Sequence, residues 1–364
     1  MKNTKHLIHI IIPALVLVVL TAVAWFRTPD EYSDTERRVL AQFPEINTEA
    51  VLSGTFSSSF EDYATDQFPF RDPFRQMKVA TTLLLHKEYN DYYRAEGHIG
   101  KLEYPKNPDS IDHATELFTS VYDRYLKDSE ASVYFAMIPD KNAYLAAPNG
   151  YLALDYAALR GELAEKLPLF THLDVSPYLS LEDYYKTDPH WRQESIFDVA
   201  DYLASSMNAS VSDEYQIKTL EKPFVGTYGQ QLSLPVDGEP LSYVTYSQSD
   251  FTVTHYDSGM PKKAPLYDMD KAEGKDPYDL FLSGAVALLT LENHNVRIDR
   301  ELIIFRDSFG SSIAPLLASG YQKVTLVDLR YVNSGMLSYF IDFTDQDVLF
   351  MYSNTILNSS FALK

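Results

Sequence analysis

The sequence predicts an α/β protein: a largely parallel sheet with helices on both faces. Three observations carry this. Near the carboxyl end, apolar runs alternate with helix-compatible stretches: strand Leu302–Phe305, helix Ser311 to Ser319, strand Lys323–Leu329, a helical stretch, and strand Val348–Tyr352. The same alternation opens earlier, with an amphipathic helix from about Asp109 to Asp128 and a β-branched, aromatic strand from Ser132 to Ile138. A helix from Tyr151 to Leu167 and a short strand from His172 to Val175 follow. Strands that alternate with helices pair in parallel, because each crossover helix packs back onto the sheet.

Each element has its own signal. The Asp109–Asp128 helix puts Ala114, Leu117, Phe118, Val121, Tyr122 and Tyr125 at core-face spacing. Ser132–Ile138 halts at Pro139-Asp140-Lys141. Ser57 to Leu85 is helical in pattern but interrupted at Asp66-Gln67-Phe68-Pro69-Phe70-Arg71, since Pro69 forbids an unbroken helix. Gly97 to Tyr104 reads as a turn and short strand, and Gln193 to Met207 as a helix. Between 209 and 300 the character changes. Gly226, Gly229, Pro235, Gly238, Pro240 and Gly259 punctuate alternating segments such as Leu241 to Tyr246, which predicts a β-rich insertion.

The chain has 364 residues, 45% apolar and 13% aromatic, enough for one large α/β domain. A formal charge of −20 argues against nucleic acid and against broad adhesion to anionic lipid. With no cysteine, disulfides, thiolate catalysis and cysteine-ligated zinc are excluded. At the amino terminus Lys2 and Lys5 precede an apolar run from Leu7 to Phe26, long enough to cross a bilayer with the amino end inside. Ala22-Val23-Ala24 keeps a cleaved signal peptide as the alternative. The expected plan is a membrane anchor or signal peptide over 1–28, a stalk over 29–56, and one domain over 57–364 with its β-rich insertion at about 209–300. That domain would lie outside the cell, on a single-pass anchor if the segment is retained and secreted if it is cleaved.

Chemistry concentrates in two places. Leu302-Ile303-Ile304-Phe305-Arg306-Asp307-Ser308 ends a buried strand just before a helix, the edge where open α/β sheets bind ligands. Helix-terminal N–H groups there can hold a developing oxyanion. A serine so placed needs a base to become a nucleophile, and Thr187-Asp188-Pro189-His190-Trp191 offers one. Asp188 and His190 are two apart, so in extended backbone both point to one face. Pro189 enforces non-helical geometry at Asp188. A Ser308–His190–Asp188 triad would follow. Blander readings stand beside it: Asp188 caps a helix starting near Trp191, and Ser308 caps its own helix. Tyr184, Tyr185 and Trp191 offer rigid aromatic surface suited to sugar rings. His86, His98, His113, His172, His255 and His294 show no metal-ligand spacing, and most of the 27 tyrosines are core and rim residues.

Thr187-Asp188-Pro189-His190-Trp191 resembles the Asp-His-His-Trp signature of the exported DHHW proteins of Gram-positive bacteria. Arg306-Asp307-Ser308-Phe309-Gly310, Pro315 and Asp328-Leu329-Arg330-Tyr331 resemble that family's carboxyl-terminal block; Asp66–Arg71 and Ile138-Pro139-Asp140-Lys141 also fit. More distantly, the arrangement is similar to the SGNH-hydrolase-like (flavodoxin-like) domains of the alginate O-acetyltransferases, where the Asp-x-His pair precedes the serine block. The resemblance covers most of residues 27–364 and is weakest over 209–275. It implies Ser308 as nucleophile, His190 as base and Asp188 as its orienting acid. It marks Lys141, Tyr185, Trp191, Arg306, Arg330 and Tyr331 as substrate-binding candidates. Pro189 departs from the signature's first histidine, and Arg306 stands where many such blocks carry a smaller residue.

The function implied is exported serine-dependent O-acetyl transfer to a cell-surface or secreted polysaccharide, or acetylester hydrolysis with water as acceptor. It calls for no cofactor and no metal, and implies a membrane-bound O-acyltransferase partner that supplies acetyl groups. The alternative is a non-enzymatic glycan-binding or assembly-scaffold protein with the same fold. Asp188 and His190 as metal ligands is a third reading, without a third ligand at motif spacing.

Overall fold

A computed structural model describes every residue except Met1, Asp34, Thr35, Arg37, Lys87, Ser233, Leu234, Gln248, Ser249 and Asp257–Gly259. Of residues 2–8 and of His86 it describes the backbone alone. The Gly259 turn and the Lys2 and Lys5 side chains thus lie outside the described residues. The chain forms two compact units, Met1–Tyr89 with Gln230–Pro235, and Asn90–Gly229 with Val236–Lys364.

The first unit begins with helix α1, Lys2–Phe26, whose segment His9–Phe26 is long and apolar enough to cross a membrane. The described residues of 29–47 are largely irregular, with one short strand pair. Tyr32–Ser33 pairs with Arg38–Val39, and α2 (Thr48–Ser53) starts on an Asn47 side-chain cap and stops at Gly54, whose φ of 82° suits a residue without Cβ. Helix α3 spans Thr55–Asp66 and α4 Arg71–His86, with Pro69 in the break. These helices fall in the same compact unit as α1. The stalk is pinned by bonds the local pattern does not show. Asp66 accepts from the Arg38 guanidinium and from Ala41 N–H, and the Gln67 amide donates to the Asp30 and Ala41 carbonyls.

The second unit is built on an eight-stranded sheet: β1 (Ser132–Ile138), β2 (Thr171–His172), β3 (Phe251–His255), β4 (Lys262–Ala264), β5 (Leu288–Asn293), β6 (Glu301–Arg306), β7 (Lys323–Val327) and β8 (Asp347–Ser353). Its spatial order is β4-β3-β5-β7-β6-β8-β1-β2. From β7 to β2 every pairing is parallel. Were the chain to start at β6, the parallel part would read 2-1-3-4-5, the flavodoxin-like order. The fold is a circular permutation of that order, which puts the topological switch point between β6 and β8.

Alternate strand residues feed opposite faces, as a sheet covered on both sides requires. On one face Ala136, Ile304, Leu326 and Met351 pack against α7 (Phe197–Ser206) and α8 (Phe309–Leu317). On the other, Phe135, Ile303, Phe350 and Tyr352 pack against α5 (Pro108–Val121) and α6 (Tyr156–Lys166). Phe118, fully buried on α5, stacks on Tyr352 with ring centroids 5.0 Å apart. The segment 209–300 contributes strands to the main sheet. Strands β3, β4 and β5 extend the main sheet in antiparallel fashion beyond β7, while Tyr215–Thr219 and Ser242–Tyr246 form a separate antiparallel pair.

Candidate active site

Strand β6 is buried on both sides through Leu302–Phe305 and ends at Arg306. Two residues later Ser308 occupies the cap position of α8 with φ −64° and ψ −23°, and its hydroxyl makes no cap bond. Asp307 does that work. Its carboxylate accepts from Phe309 N–H at 3.0 Å and from Ser353 N–H at 2.8 Å, joining the ends of β6 and β8 across the switch point. The Ser308 hydroxyl is thereby left pointing to the sheet edge. Gly310 permits the following helix to sit down on the strand, since a Cβ there would lie 2.6 Å from Arg306 Cβ.

The second arm is a tight loop. Tyr184 and Trp191 face each other in an antiparallel bridge, and Tyr185 N–H donates to the His190 carbonyl at 3.1 Å. At the tip His190 N–H donates to Asp188 Oδ1 at 3.1 Å, an Asx-type turn that places both side chains on one side. His190 Nδ1 lies 2.6 Å from Asp188 Oδ1, and Nε2 lies 2.7 Å from Ser308 Oγ, although 118 residues separate the last two. No helix starts at Trp191, so Asp188 caps none there. Its other oxygen accepts from Thr227 N–H at 2.8 Å.

Asp188 is fully buried. Burial alone would raise its pKa, but the adjacent imidazole and the N–H groups of Thr227 and His190 outweigh it, so the carboxyl sits below its ordinary range. An ionised carboxylate on Nδ1 sets the tautomer that leaves Nε2 as an acceptor toward the serine.

The structure places the six substrate-binding candidates very differently. Trp191 and Tyr185 are fully buried, as is Tyr184. Trp191 Nε1 donates to Ser312 Oγ at 2.8 Å, and Tyr185 packs edge-on against Phe224. These rings are core and offer no sugar platform; residue type showed rigid surface but not which way it faces. Lys141 is buried too. Its ammonium donates to the carbonyls of Tyr185 (3.0 Å), Lys186 (3.2 Å) and Asp188 (2.9 Å), so it holds the loop that carries Asp188. Burial brings its pKa down to about 8, against the pull of Asp188, Glu239 and Asp140. Arg306 lies inside, donating to the Val286 carbonyl at 3.2 Å with Asp328 3.7 Å away. Arg330 is clamped on Asp328 by two bonds of 2.9 and 2.6 Å. Only Tyr331, 53% exposed under the Arg330 guanidinium, presents an open face at this sheet edge.

Several site residues carried no local signal. Tyr278 stacks on the His190 ring with centroids 3.9 Å apart and planes 6° off parallel, and donates to Ser312 Oγ at 2.8 Å. Phe309 also packs against the imidazole, tilted 56° with centroids 4.9 Å apart. Glu239 accepts from the N–H groups of Lys186 and Thr187, at 2.9 and 3.0 Å. Gly226 lies so close to Asp188 that a Cβ would come within 2.2 Å of the aspartate's own. Tyr278, Glu239, Thr227 and Gly226 all come from the 209–300 segment. The chance to find them lay in that segment's glycine and aromatic content, which does not specify a partner.

No family model matches the sequence, and no curated protein matches it either. Solved structures do. A DHHW family protein from Eubacterium siraeum superposes with a TM-score of 0.61 at 19% identity, over 76% of this chain and 97% of that one. PatB1 of Bacillus cereus superposes with a TM-score of 0.56 at 19% identity, over 73% and 96%. A second PatB1 structure, carrying a sulfonyl adduct, gives 0.58 at 19% identity over 73% and 95%. The O-acetyltransferase domain of Pseudomonas putida AlgJ overlaps more loosely, at 0.41 and 11% identity over 70% and 87%. The chain therefore has the α/β fold of the DHHW family protein and of PatB1, with its Asp-x-His arm ahead of its serine.

Proposed function

We propose that this protein is an exported serine O-acetyltransferase, or an acetylesterase where water is the acceptor, acting on a cell-surface or secreted polysaccharide. The observation that carries the reading is the unbroken hydrogen-bond line from Asp188 through His190 to Ser308 at the switch point of the sheet. In the first half-reaction Ser308 Oγ attacks the acetyl carbonyl while His190 Nε2 takes its proton. The proton passes to the departing group as the ester forms on Ser308. In the second, His190 deprotonates a sugar hydroxyl, which attacks that ester and regenerates the serine. Phe309 and Gly310 N–H groups are engaged by Asp307. Ser308 N–H, at the positive end of α8, is then the backbone donor for the tetrahedral oxyanion. Tyr331 and the Arg330 over it supply the aromatic, cationic surface for a sugar ring. No step requires a metal or cofactor. A membrane-bound O-acyltransferase would supply the acetyl groups, and α1 would hold the domain on the outer face of the membrane.

Sulfonyl fluorides trap an activated serine by forming an Oγ–S bond with loss of fluoride, and a sulfonyl adduct is recorded in the similar PatB1 fold. Phenylmethylsulfonyl fluoride should add one sulfonyl group to the intact protein, mapped by mass spectrometry to Ser308. It should also stop release of p-nitrophenol from its acetate ester. Labelling elsewhere with turnover intact would remove the triad. A glycan scaffold would instead lose function through aromatic rather than Ser308 substitutions, and the burial of Tyr184, Tyr185 and Trp191 does not favour it.

A further inference from the structure

We propose that the first unit is a membrane-interface wedge, its aromatic face seated in the headgroup–acyl boundary of the bilayer leaflet from which α1 emerges. The inference rests on the reading of α1 as a retained membrane anchor.

At a rise of about 1.5 Å per residue, the 18 residues His9–Phe26 span about 27 Å, close to the apolar thickness of a bilayer. Leu17 falls near the middle of that run, and Trp25 and Phe26 at its outer end, where amphipathic rings gather. A groove of about 300 Å³ is walled on one side by α1, through Leu17, Leu20 and Trp25, and on the other by Phe43, Phe60 and Phe68. The three phenylalanines therefore stand level with the last turns of α1, not beyond its end. If α1 spans the membrane, that depth is hydrocarbon and interface, not water.

The composition of the wall agrees. Phe43 makes ring contacts with Phe56, Phe60 and Tyr63, at centroid distances of 6.5, 6.0 and 5.3 Å. Phe68 packs edge-on against Phe74 at 5.6 Å, carrying the surface onto α4. There Phe74 and Met77, three residues apart and so on one helix face, continue it. Phe43, Phe60, Phe68, Phe74 and Met77 are 50, 40, 39, 47 and 58% exposed. In water such a contiguous aromatic patch is unfavourable; at the interface it is what holds monotopic elements down. Arg71 beside it is paired with Glu36 and Asp66, while exposed Glu61 and Lys78 flank the rings and would stay at headgroup level.

The absence of cysteine makes the test clean. The full chain, with single substitutions Leu17→Cys, Phe60→Cys, Phe74→Cys or Ile217→Cys, is spin-labelled and reconstituted in phosphatidylcholine–phosphatidylglycerol vesicles. Collisions with oxygen, which partitions into lipid, are compared with collisions with a water-soluble nickel chelate. Leu17 reports the anchor, and exposed Ile217 of the second unit is the aqueous reference. The expected result is an oxygen-to-nickel ratio at Phe60 and Phe74 severalfold above that at Ile217, and below that at Leu17. Lipid exposure at Leu17 with nickel access at Phe60 and Phe74 overturns the wedge while leaving the anchor intact. Protection of both sites from both reagents means that protein covers the face, and also overturns it. Nickel access at Leu17 removes the anchor, and the wedge with it.

Discussion

At the scale of single residues, the Ser308 hydroxyl and the Tyr278 ring do different jobs and should fail differently. A capping serine would lose about 1 kcal/mol on truncation, but the Ser308 hydroxyl makes no cap bond because Asp307 supplies it. Ser308→Ala should therefore shift stability by no more than about 0.5 kcal/mol in urea melts, while turnover of p-nitrophenyl acetate falls to background. A large loss of stability would show that the hydroxyl is structural. Tyr278→Phe keeps the ring on His190 and removes only the bond to Ser312. Tyr278→Ala removes the wall that fixes the imidazole plane. The expected order of kcat is wild type, then Tyr278→Phe, then Tyr278→Ala well below, since misplacing a catalytic group by about 1 Å costs on the order of a hundredfold. Equal rates for the phenylalanine and alanine variants would mean that the stack does not orient His190.

At the scale of elements, the end of β1 holds a buried polar knot. Asp140 Oδ1 accepts from the Tyr156 hydroxyl and Oδ2 from the Asn142 amide at 2.8 Å, while Asp140 N–H donates to Asn354 at 2.6 Å. Burial pushes the Asp140 carboxyl up to about 6, with those hydrogen bonds and Lys141 resisting. The folded chain thus keeps this proton until about pH 6, whereas the unfolded chain releases it near pH 4. The folded state binds more protons between those values, so stability should fall as pH rises from about 4 to 6, by on the order of 3 kcal/mol. Asp140→Asn should remove that slope in urea melts across the same range. An unchanged slope would place the proton elsewhere. The knot adjoins Lys141, whose three bonds to the Asp188 loop tie the end of β1 to the arm bearing His190.

At the scale of the whole molecule, the permuted topology separates the two halves of the site along the chain, and the 209–300 segment clamps them. Thr227 N–H fixes the outer oxygen of Asp188, Glu239 fixes the loop before it, and Tyr278 covers His190. The tightest point of the clamp is Gly226. In Gly226→Ala the new methyl meets Asp188 Cβ at 2.2 Å, and backbone or aspartate must give way. The expected outcome is a drop in turnover of tenfold or more, matching about 1.4 kcal/mol of lost transition-state stabilisation, with circular dichroism showing the sheet retained. Wild-type kinetics in Gly226→Ala would show that the segment is not needed to set the triad.

What the sequence determined by itself is what repeats locally. Ser132–Ile138 and the strands after residue 300 announce themselves because both faces of a parallel sheet are covered, so the strands are continuous apolar runs. Ser308 stood out because a buried strand cannot end in Asp-Ser without turning outward, and Asp188 and His190 because two residues about a proline stay close in any fold. Only the tertiary structure decided the rest. Tyr185, Trp191, Lys141 and Arg306 have side chains suited to binding sugar or anion, yet all four point inward. Burial depends on which elements cover them, and those elements lie far along the chain. Tyr278, Glu239 and Gly226 act through contacts 39 to 88 positions from their partners, which no spacing rule reaches. Asp66 and Gln67 likewise tie down a polar, stalk-like stretch through bonds 25 to 37 residues long. Periodicity records which face of an element is buried; it does not record what that face is buried against.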